Sequence, residues 1–466
     1  MVLTPIIGRY LTSITQFQRT GCQFDSALVR HVLKGNEFVP IFRRLFLVSF
    51  YSGFGIAASF ARGILLARIL GTDQFGLAVI LISILGAMDL FADAGIDRFV
   101  IQNRFGHRFD MMRTSHAYRV FGSGIVGGVV LILSYPLALI FNHPPMWSAI
   151  AILSGVIVLR GFVNLDYKLE QRQHRFGAET RIDIARFTIE LLVLLCIALT
   201  TKSYWAVVIG AYANAFVHLL ISHVMARGKY SFIPRRRVVG LVARFSTPIY
   251  INAALLFAAM QGDRLVVAAS FTSHQLALYA AACALGQGAI ALLGKVIMNV
   301  FLPVFSSVSQ QREKGRIIVN RIGMLLIAGS VIFVVALTIA APPLVTLLYG
   351  PEYIGLRAII FASAIVQMIQ IEQAWLTTLL MANGLTREFP KITIMRAIAF
   401  PIAVVFASWG LDILAIPLAF AIGTLFSLIM SYRAAIPLKL IHPYLMVVSF
   451  MRIALAIAAV AVLIVT

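Results

Sequence analysis

The sequence predicts an all-α polytopic membrane protein with about thirteen transmembrane helices. Of its 466 residues, 60% are hydrophobic and 12% are charged, and the mean hydropathy is +0.92. Soluble domains contain about 45 to 50% apolar residues, so a soluble fold is excluded. Apolar runs of roughly 20 residues, the length that spans the hydrocarbon core as a helix, recur along the whole chain.

The apolar runs set the limits of the predicted helices and of the larger divisions of the chain. We predict helices at 45–66, 75–96, 117–140, 147–162, 184–199, 204–225, 245–269, 276–303, 318–341, 356–381, 392–409, 411–432 and 444–465. The basic stretch 226–244 follows six of them and is predicted to link an N-lobe (45–225) to a C-lobe (245–432). Residues 1–44 are predicted to form a basic cytoplasmic extension, and 433–466 to carry an extra C-terminal helix.

The distribution of basic residues explains the formal net charge of +21 without nucleic acid. With the N-terminus placed in the cytoplasm, 32 of the 39 Lys and Arg residues fall in the extension or the inside loops, and three fall outside. This asymmetry is the positive-inside pattern of membrane proteins. It predicts a multi-pass membrane protein, in contact with membrane lipids, with a cytoplasmic N-terminus.

A helix with a buried arginine, followed by a short polar turn and a second helix, occurs twice. Arg62 precedes the turn from Gly71 to Gln74, and Arg264 precedes the turn from Thr272 to Gln275. Many transporters are built from two structural repeats that begin alike. The pattern therefore predicts that each lobe is one repeat and that the lobes are related by a two-fold axis along the membrane normal.

The sequence contains none of the motifs that would indicate an enzyme. No Walker loop, no HExxH and no Asp-x-Asp in an inside loop is present, and the inside loops are too short to form a nucleotide-binding domain. We predict no catalytic residue, no metal and no cofactor.

Several segments resemble the polysaccharide-transport branch of the multidrug/oligosaccharidyl-lipid/polysaccharide exporter superfamily. They are ILLARILGTDQFGLAVI, DLFADAGIDRFVIQ, LALYAAA, LPVFSSVSQQREK, LLYGPEYIGLRAII and LLMANGLTREFP. The resemblance implies two six-helix lobes around a central cavity that opens alternately to each side. It also implies a flippase for an oligosaccharide linked to a polyprenyl pyrophosphate, with other polysaccharide-assembly membrane proteins as further partners.

Two other functions remain open at this point. One is a multidrug or cation antiporter of the same superfamily, which would more naturally present an acid where the first helix presents Arg62. The other is a membrane-embedded polysaccharide polymerase, although the outside loops are short for such an enzyme.

Charged residues inside the predicted helices are the candidate substrate-binding groups. A charged side chain near a helix centre costs about 2.5 to 3.5 kcal/mol, so each needs a buried or hydrated partner. Arg62 and Arg264 both fall in the outer half of the membrane, and Gln261 shares the face of Arg264. They are predicted either to bind a diphosphate or acidic sugar in the cavity, or to snorkel or form ion pairs between helices.

Lys295 and three polar residues of the tenth predicted helix complete this candidate set. Lys295 lies in the inner half and either pairs with Glu372 or makes the first contact with the substrate phosphate. Gln370 and Gln373 either bind sugar hydroxyls or bond to neighbouring helices. Asn214 starts a smaller polar seam on the sixth helix.

Acidic residues are the candidates for coupling transport to protons or cations. Asp89 and Asp93 lie one turn apart near the inner end of the second predicted helix, and Glu372 lies within the tenth. The alternative for Asp89 and Asp93 is structural, namely helix capping and pairing with loop arginines.

Overall fold

The computed structural model describes residues 38–93, 95–172, 177–308 and 312–465, and these residues form helices without any β-strand. The helices are α1 (Phe38–Asp93), α2 (Ile96–Gln102), α3 (Phe109–Ile140), α4 (Trp147–Gly161), α5 (Asp166–Arg172), α6 (Gly177–Thr201), α7 (Trp205–Val224), α8 (Arg236–Ser270), α9 (Ser273–Val308), α10 (Arg312–Tyr349), α11 (Arg357–Ala382), α12 (Phe389–Ala397), α13 (Ala399–Ser408), α14 (Ala415–Ala435) and α15 (Pro443–Val465). Of the predicted extension, residues 1–37 lie outside the described residues.

Each of the thirteen predicted membrane helices coincides with helix in the structure. Ten stretches of the described residues are long and apolar enough to cross a membrane, and the first of them, Ala57–Gln102, contains the end of the first predicted helix and all of the second. The predicted helix 392–409 is divided into α12 and α13. Pro401 explains the division, because its ring clashes with the carbonyl four residues earlier and it has no N–H to donate.

The predicted turn after Arg62 is a break at a single residue within α1. Gly71 has φ 72° and ψ 171°, a backbone conformation that only glycine adopts readily. The corresponding turn between α8 and α9 is closed by a capping box. Thr272 N–H donates to Gln275 Oε1 at 3.1 Å, and Gln275 N–H donates to Thr272 Oγ1 at 3.2 Å.

The two turns contact each other. His274 Nδ1 and Thr72 Oγ1 are hydrogen-bonded at 2.9 Å, and Ser273 Oγ donates to Asp73 Oδ1 at 3.3 Å. Beside them, a Cβ added to Gly76 would lie 2.0 Å from the carbonyl oxygen of Ser273, so only glycine fits there. Thr72 and His274 are 202 positions apart, the same separation as Arg62 and Arg264.

The largest apolar core lies around these turns and joins helices from both sides of the predicted linker. It includes Leu81 of α1, Ile150 of α4, Tyr279 of α9 and Ile416 of α14, each almost fully buried. A second core lies within the C-terminal half, where Phe305, Trp375, Tyr432 and their neighbours pack together. The predicted pairing of two helical halves therefore has a continuous apolar core at the end where the turns meet.

Candidate substrate cavity

The two arginines that the sequence analysis singled out line one cavity of about 610 Å³. Arg62 enters it from α1 and Arg264 from α8, and Phe75 and Tyr349 lie on its wall, with ring centroids 6.4 Å apart. Other described polar residues of the wall are Ser59, Asp89, Arg160, Arg186, Glu190, Asn214, Gln261 and Gln287. The cavity thus brings together polar groups from both halves of the chain.

A chain of polar contacts follows the N-terminal side of the cavity. Arg62 Nη1 forms an ion pair with Glu190 Oε1 at 2.5 Å, and Asn214 Nδ2 donates to the other oxygen, Oε2, at 2.7 Å. The carbonyl of Asn214 accepts from Arg160 Nη2 at 3.3 Å, and Arg160 Nη1 is paired with Asp89. Arg62 and Arg160 are therefore each neutralised by a carboxylate of the cavity wall.

Arg264 differs because amide oxygens, and not a carboxylate, accept its hydrogen bonds. Nη1 donates to Gln261 Oε1 at 2.9 Å, and Nη2 donates to the side-chain oxygen of Gln287. The neighbouring Asp263 is bonded elsewhere, since it accepts from the hydroxyl of buried Tyr279 at 3.2 Å. Among the described residues Arg264 has no ion pair, so its charge remains available to a ligand.

The charge balance of the cavity favours an anionic ligand. Its described wall holds four arginines and two carboxylates. Arg186 also forms an ion pair at 2.8 Å with Asp183, which is not among the residues of the wall. The excess positive charge is therefore that of Arg264. The amide NH₂ groups of Gln261 and Gln287 do not bond to the guanidinium and can donate to the same ligand.

Four of the predicted site residues line the cavity: Arg62, Arg264, Gln261 and Asp89. For Arg62 and Asp89 the predicted structural alternative, an ion pair, is also present. The side chain of Asp93 lies outside the described residues. Which of these groups binds substrate or couples to an ion stays a prediction.

Lys295, Gln370 and Gln373 are not among the described residues of the cavity wall. Gln373 is buried and donates to Ser427 Oγ of α14. For Gln373 the predicted alternative, a bond to a neighbouring helix, is therefore present, because α11 is largely buried and its polar groups meet other helices. Sugar binding at Gln370 and Gln373 stays a prediction.

Of the two alternatives predicted for Lys295, the ion pair with Glu372 is not present. Glu372 is fully buried and forms an ion pair with Arg452 of α15, a residue for which the sequence suggested no partner. The hydroxyl of Tyr432 donates to the other oxygen of the carboxylate, and Arg452 donates further to Ser330 Oγ and to the carbonyl of Ile327 at 3.0 Å. Glu372 thus anchors the last helix.

Four residues of the cavity wall were not predicted from the sequence, namely Glu190, Arg160, Arg186 and Gln287. Glu190 could have been found, because it is an acid within the apolar run 184–199 and such residues need a buried partner. Arg160 and Arg186 had been counted with the inside loops, yet both stand on the cavity wall. Gln287 carried no sequence signal apart from its place in an apolar helix.

A family model described as "Polysaccharide biosynthesis protein" matches residues 65–357, more than half of the chain. The chain belongs to this family. The matched residues contain both repeat turns and most of the cavity wall.

Relatives of this family member are named as transport or biosynthesis proteins. The succinoglycan biosynthesis transport protein ExoT of Rhizobium meliloti (strain 1021) is 21% identical over 54% of this chain, and the alignment spans 50% of that protein. The lipopolysaccharide biosynthesis protein WzxC of Escherichia coli (strain K12) is 23% identical over 79% of this chain and 75% of its own length. The chain thus spans about half the length of the first of these relatives.

Solved structures with the same fold are transporters. The lipid II flippase MurJ, in an inward closed conformation, has a TM-score of 0.66 at 14% identity and covers 90% of this chain and 92% of its own. An inward-facing multidrug resistance MATE family transporter of the MOP superfamily has a TM-score of 0.61 at 12% identity, covering 86% and 95%. The predicted fold class is confirmed for this member of the polysaccharide biosynthesis protein family.

Proposed function

We propose that this protein flips an oligosaccharide linked to a polyprenyl diphosphate across the bacterial inner membrane, for polysaccharide biosynthesis. The protein would be a transporter and not an enzyme, with its N-terminus in the cytoplasm. Three findings support the proposal: the family, the relatives named for succinoglycan and lipopolysaccharide biosynthesis, and a fold shared with a lipid II flippase.

The observation that carries the proposal is the unpaired charge of Arg264. A diphosphate cannot enter a hydrocarbon slab of roughly 30 Å unless fixed cations and donors replace its water. A guanidinium bonds two phosphate oxygens at once. With the amides of Gln261 and Gln287 beside it, Arg264 provides a pre-formed cluster of donors on the cavity wall.

The paired cations of the N-terminal side give a second stage of binding. A phosphate must compete with the carboxylate of Glu190 for the charge of Arg62, whereas the amide oxygens that accept from Arg264 carry no net charge. We therefore propose that Arg264 takes the headgroup first and that Arg62 joins it as the halves move. The sequence alone had suggested Lys295 as the first contact, and we propose Arg264 in its place because Arg264 is among the described residues of the cavity wall.

In the proposed mechanism, the contact between the two turns closes one end of the cavity. Thr72 and His274 hold the halves together there, and equivalent residues of two repeats can touch only near the axis that relates them. We propose that N-lobe and C-lobe are repeats about this axis, and that rocking of one against the other exposes the cavity to each side in turn.

The test is glycan export in cells that lack the native gene, with each variant at matched membrane abundance. Arg264→Gln should abolish export, and Arg264→Lys should restore part of it because the charge remains without the bidentate fork. Arg387→Gln is the matched control, since it removes an exposed arginine that does not line the cavity. Full export by Arg264→Gln would refute the proposed role of this residue.

A second measurement separates this function from cation export. Purified protein in vesicles should bind a polyprenyl diphosphate, and Arg264→Gln should weaken that binding. Binding of lipophilic cations that improves in Arg264→Gln, without any binding of the diphosphate by the native chain, would assign the protein to multidrug export instead.

A further inference from the structure

A second polar cleft lies away from the central cavity, where α8 begins. Its volume is about 900 Å³, and it is lined by one face of α8 and by the end of α2 with the following residue. Among the described residues, none lines both this cleft and the central cavity. Because the predicted linker 226–244 carries a basic cluster, the orientation proposed above puts the cleft at the cytoplasmic edge of the membrane.

Two arginines stand on the α8 side of the cleft. Arg237 and Arg244 are seven residues apart, which puts them on the same face of the helix and about 10.5 Å apart along its axis. Both are exposed. Neither has an ion pair among the described residues. The site thus presents two available guanidinium groups.

The acids near this end of the molecule are already occupied. Asp97 is paired with Arg119 at 2.9 Å and with Lys168 at 3.0 Å. Asp110 is paired with Arg113 at 2.9 Å and with Arg235. The positive charge of the cleft is therefore not cancelled by these acids.

Between the two arginines the cleft is apolar and has free space. Leu241 is 47% exposed, and the rings of Phe99 and Phe245 pack edge to face with centroids 5.4 Å apart. Gly240 lies in the middle of the face, and a Cβ added there would meet nothing within 4 Å. An aqueous phosphate would leave Leu241 uncovered, so the ligand must carry a hydrocarbon chain as well as negative charge.

We propose that this cleft binds an anionic phospholipid of the surrounding membrane. The phosphate would lie between Arg237 and Arg244, with an acyl chain along Leu241 and the neighbouring rings. Basic pockets between transmembrane helices at the cytoplasmic side are suited to such headgroups. The separate lining of the two sites indicates a resident lipid and not the transported substrate. This inference does not depend on the proposed transport function.

The experiment measures binding of phosphatidylglycerol to the purified full chain in nanodiscs, with phosphatidylcholine as the uncharged background lipid. Each arginine near a membrane surface contributes about 1 kcal/mol, so Arg237→Gln/Arg244→Gln should bind about 30-fold more weakly. Gly240→Leu should also lose binding, because it fills the cleft without changing any charge. Arg236→Gln/Arg387→Gln is the matched control, since it removes two exposed arginines that lie outside the cleft, and its binding should be unchanged.

Three results would overturn the proposal. Equal loss in the control pair would show that attraction is spread over the whole basic surface. Native binding by Gly240→Leu would show that no lipid enters the cleft. Retention of a polyprenyl diphosphate but not of phosphatidylglycerol would assign the cleft to the substrate path. Because the measurement is lipid binding and not export, its failure would leave the proposed function intact.

Discussion

Gly76 controls how closely the two repeat turns approach each other, and Gly76→Ala should prevent their full closure. The added Cβ would lie 2.0 Å from the carbonyl oxygen of Ser273, and contacts under 3.0 Å essentially do not occur. The segments must therefore separate by about 1 Å. The separation weakens two hydrogen bonds, at about 1 kcal/mol each, and overpacking costs about 1 kcal/mol or more. A total of about 3 kcal/mol changes the ratio of closed to open molecules by about 150-fold.

The assay is labelling of a single cysteine at position 284, on the cavity wall, in a chain whose native cysteines are replaced. A membrane-impermeant maleimide added on the side of the turns should label this site much faster in Gly76→Ala than in the native chain. Gly63→Ala, in the same helix, is the matched control, because a Cβ added at Gly63 would meet nothing within 4 Å. Equal labelling rates in the two variants would show that this contact does not close the cavity.

Three further predictions concern buried polar groups. Glu190→Gln leaves the guanidinium of Arg62 without its carboxylate and should lower the free energy of unfolding by about 3 kcal/mol. Adding Arg62→Gln should recover most of this loss, and additive losses of the two variants in equilibrium unfolding would contradict the coupling. Arg452→Met should destabilise the protein by about 3 to 5 kcal/mol in the same assay, because it leaves the buried carboxylate of Glu372 unpaired, and adding Glu372→Met should restore stability. A cost under about 1 kcal/mol would mean that the buried pair is not needed for stability. Burial raises the pKa of the Tyr167 hydroxyl to about 12, so its contribution to the free energy of unfolding is complete below pH 10 and is lost between pH 10 and about 12. Tyr167→Phe should therefore lose less stability over this pH range than the native chain. The same pH profile of stability in both proteins would refute this prediction.

Repetition in the sequence predicted the site better than helical geometry did. The matched positions of Arg62 and Arg264 indicated that both halves contribute one arginine, and the structure brings both to one cavity. The break at Gly71 was also predictable, since a polar turn with glycines interrupts an apolar run. Both inferences compare similar sequence patterns and need no knowledge of how helices are rotated.

The sequence could not show how each helix is rotated about its own axis. The depth of Lys295 in the membrane matched that of Glu372, but depth does not tell which neighbour a side chain faces. The partner of Glu372 proved to be Arg452, on a helix 80 residues further along the chain. Gln373 likewise bonds to Ser427 of a neighbouring helix, because a helix buried on most sides has polar sectors that contact other helices.

The ion pair between Glu372 and Arg452 also affects the order of events during synthesis. Helix α11 is synthesised before α15, so the carboxylate of Glu372 has no guanidinium to neutralise it until Arg452 has been translated. The C-terminal half cannot reach its final packing until the last helix arrives. A nascent chain interrupted before Arg452 would keep an unsatisfied acid among its helices and would be less stable than the finished chain.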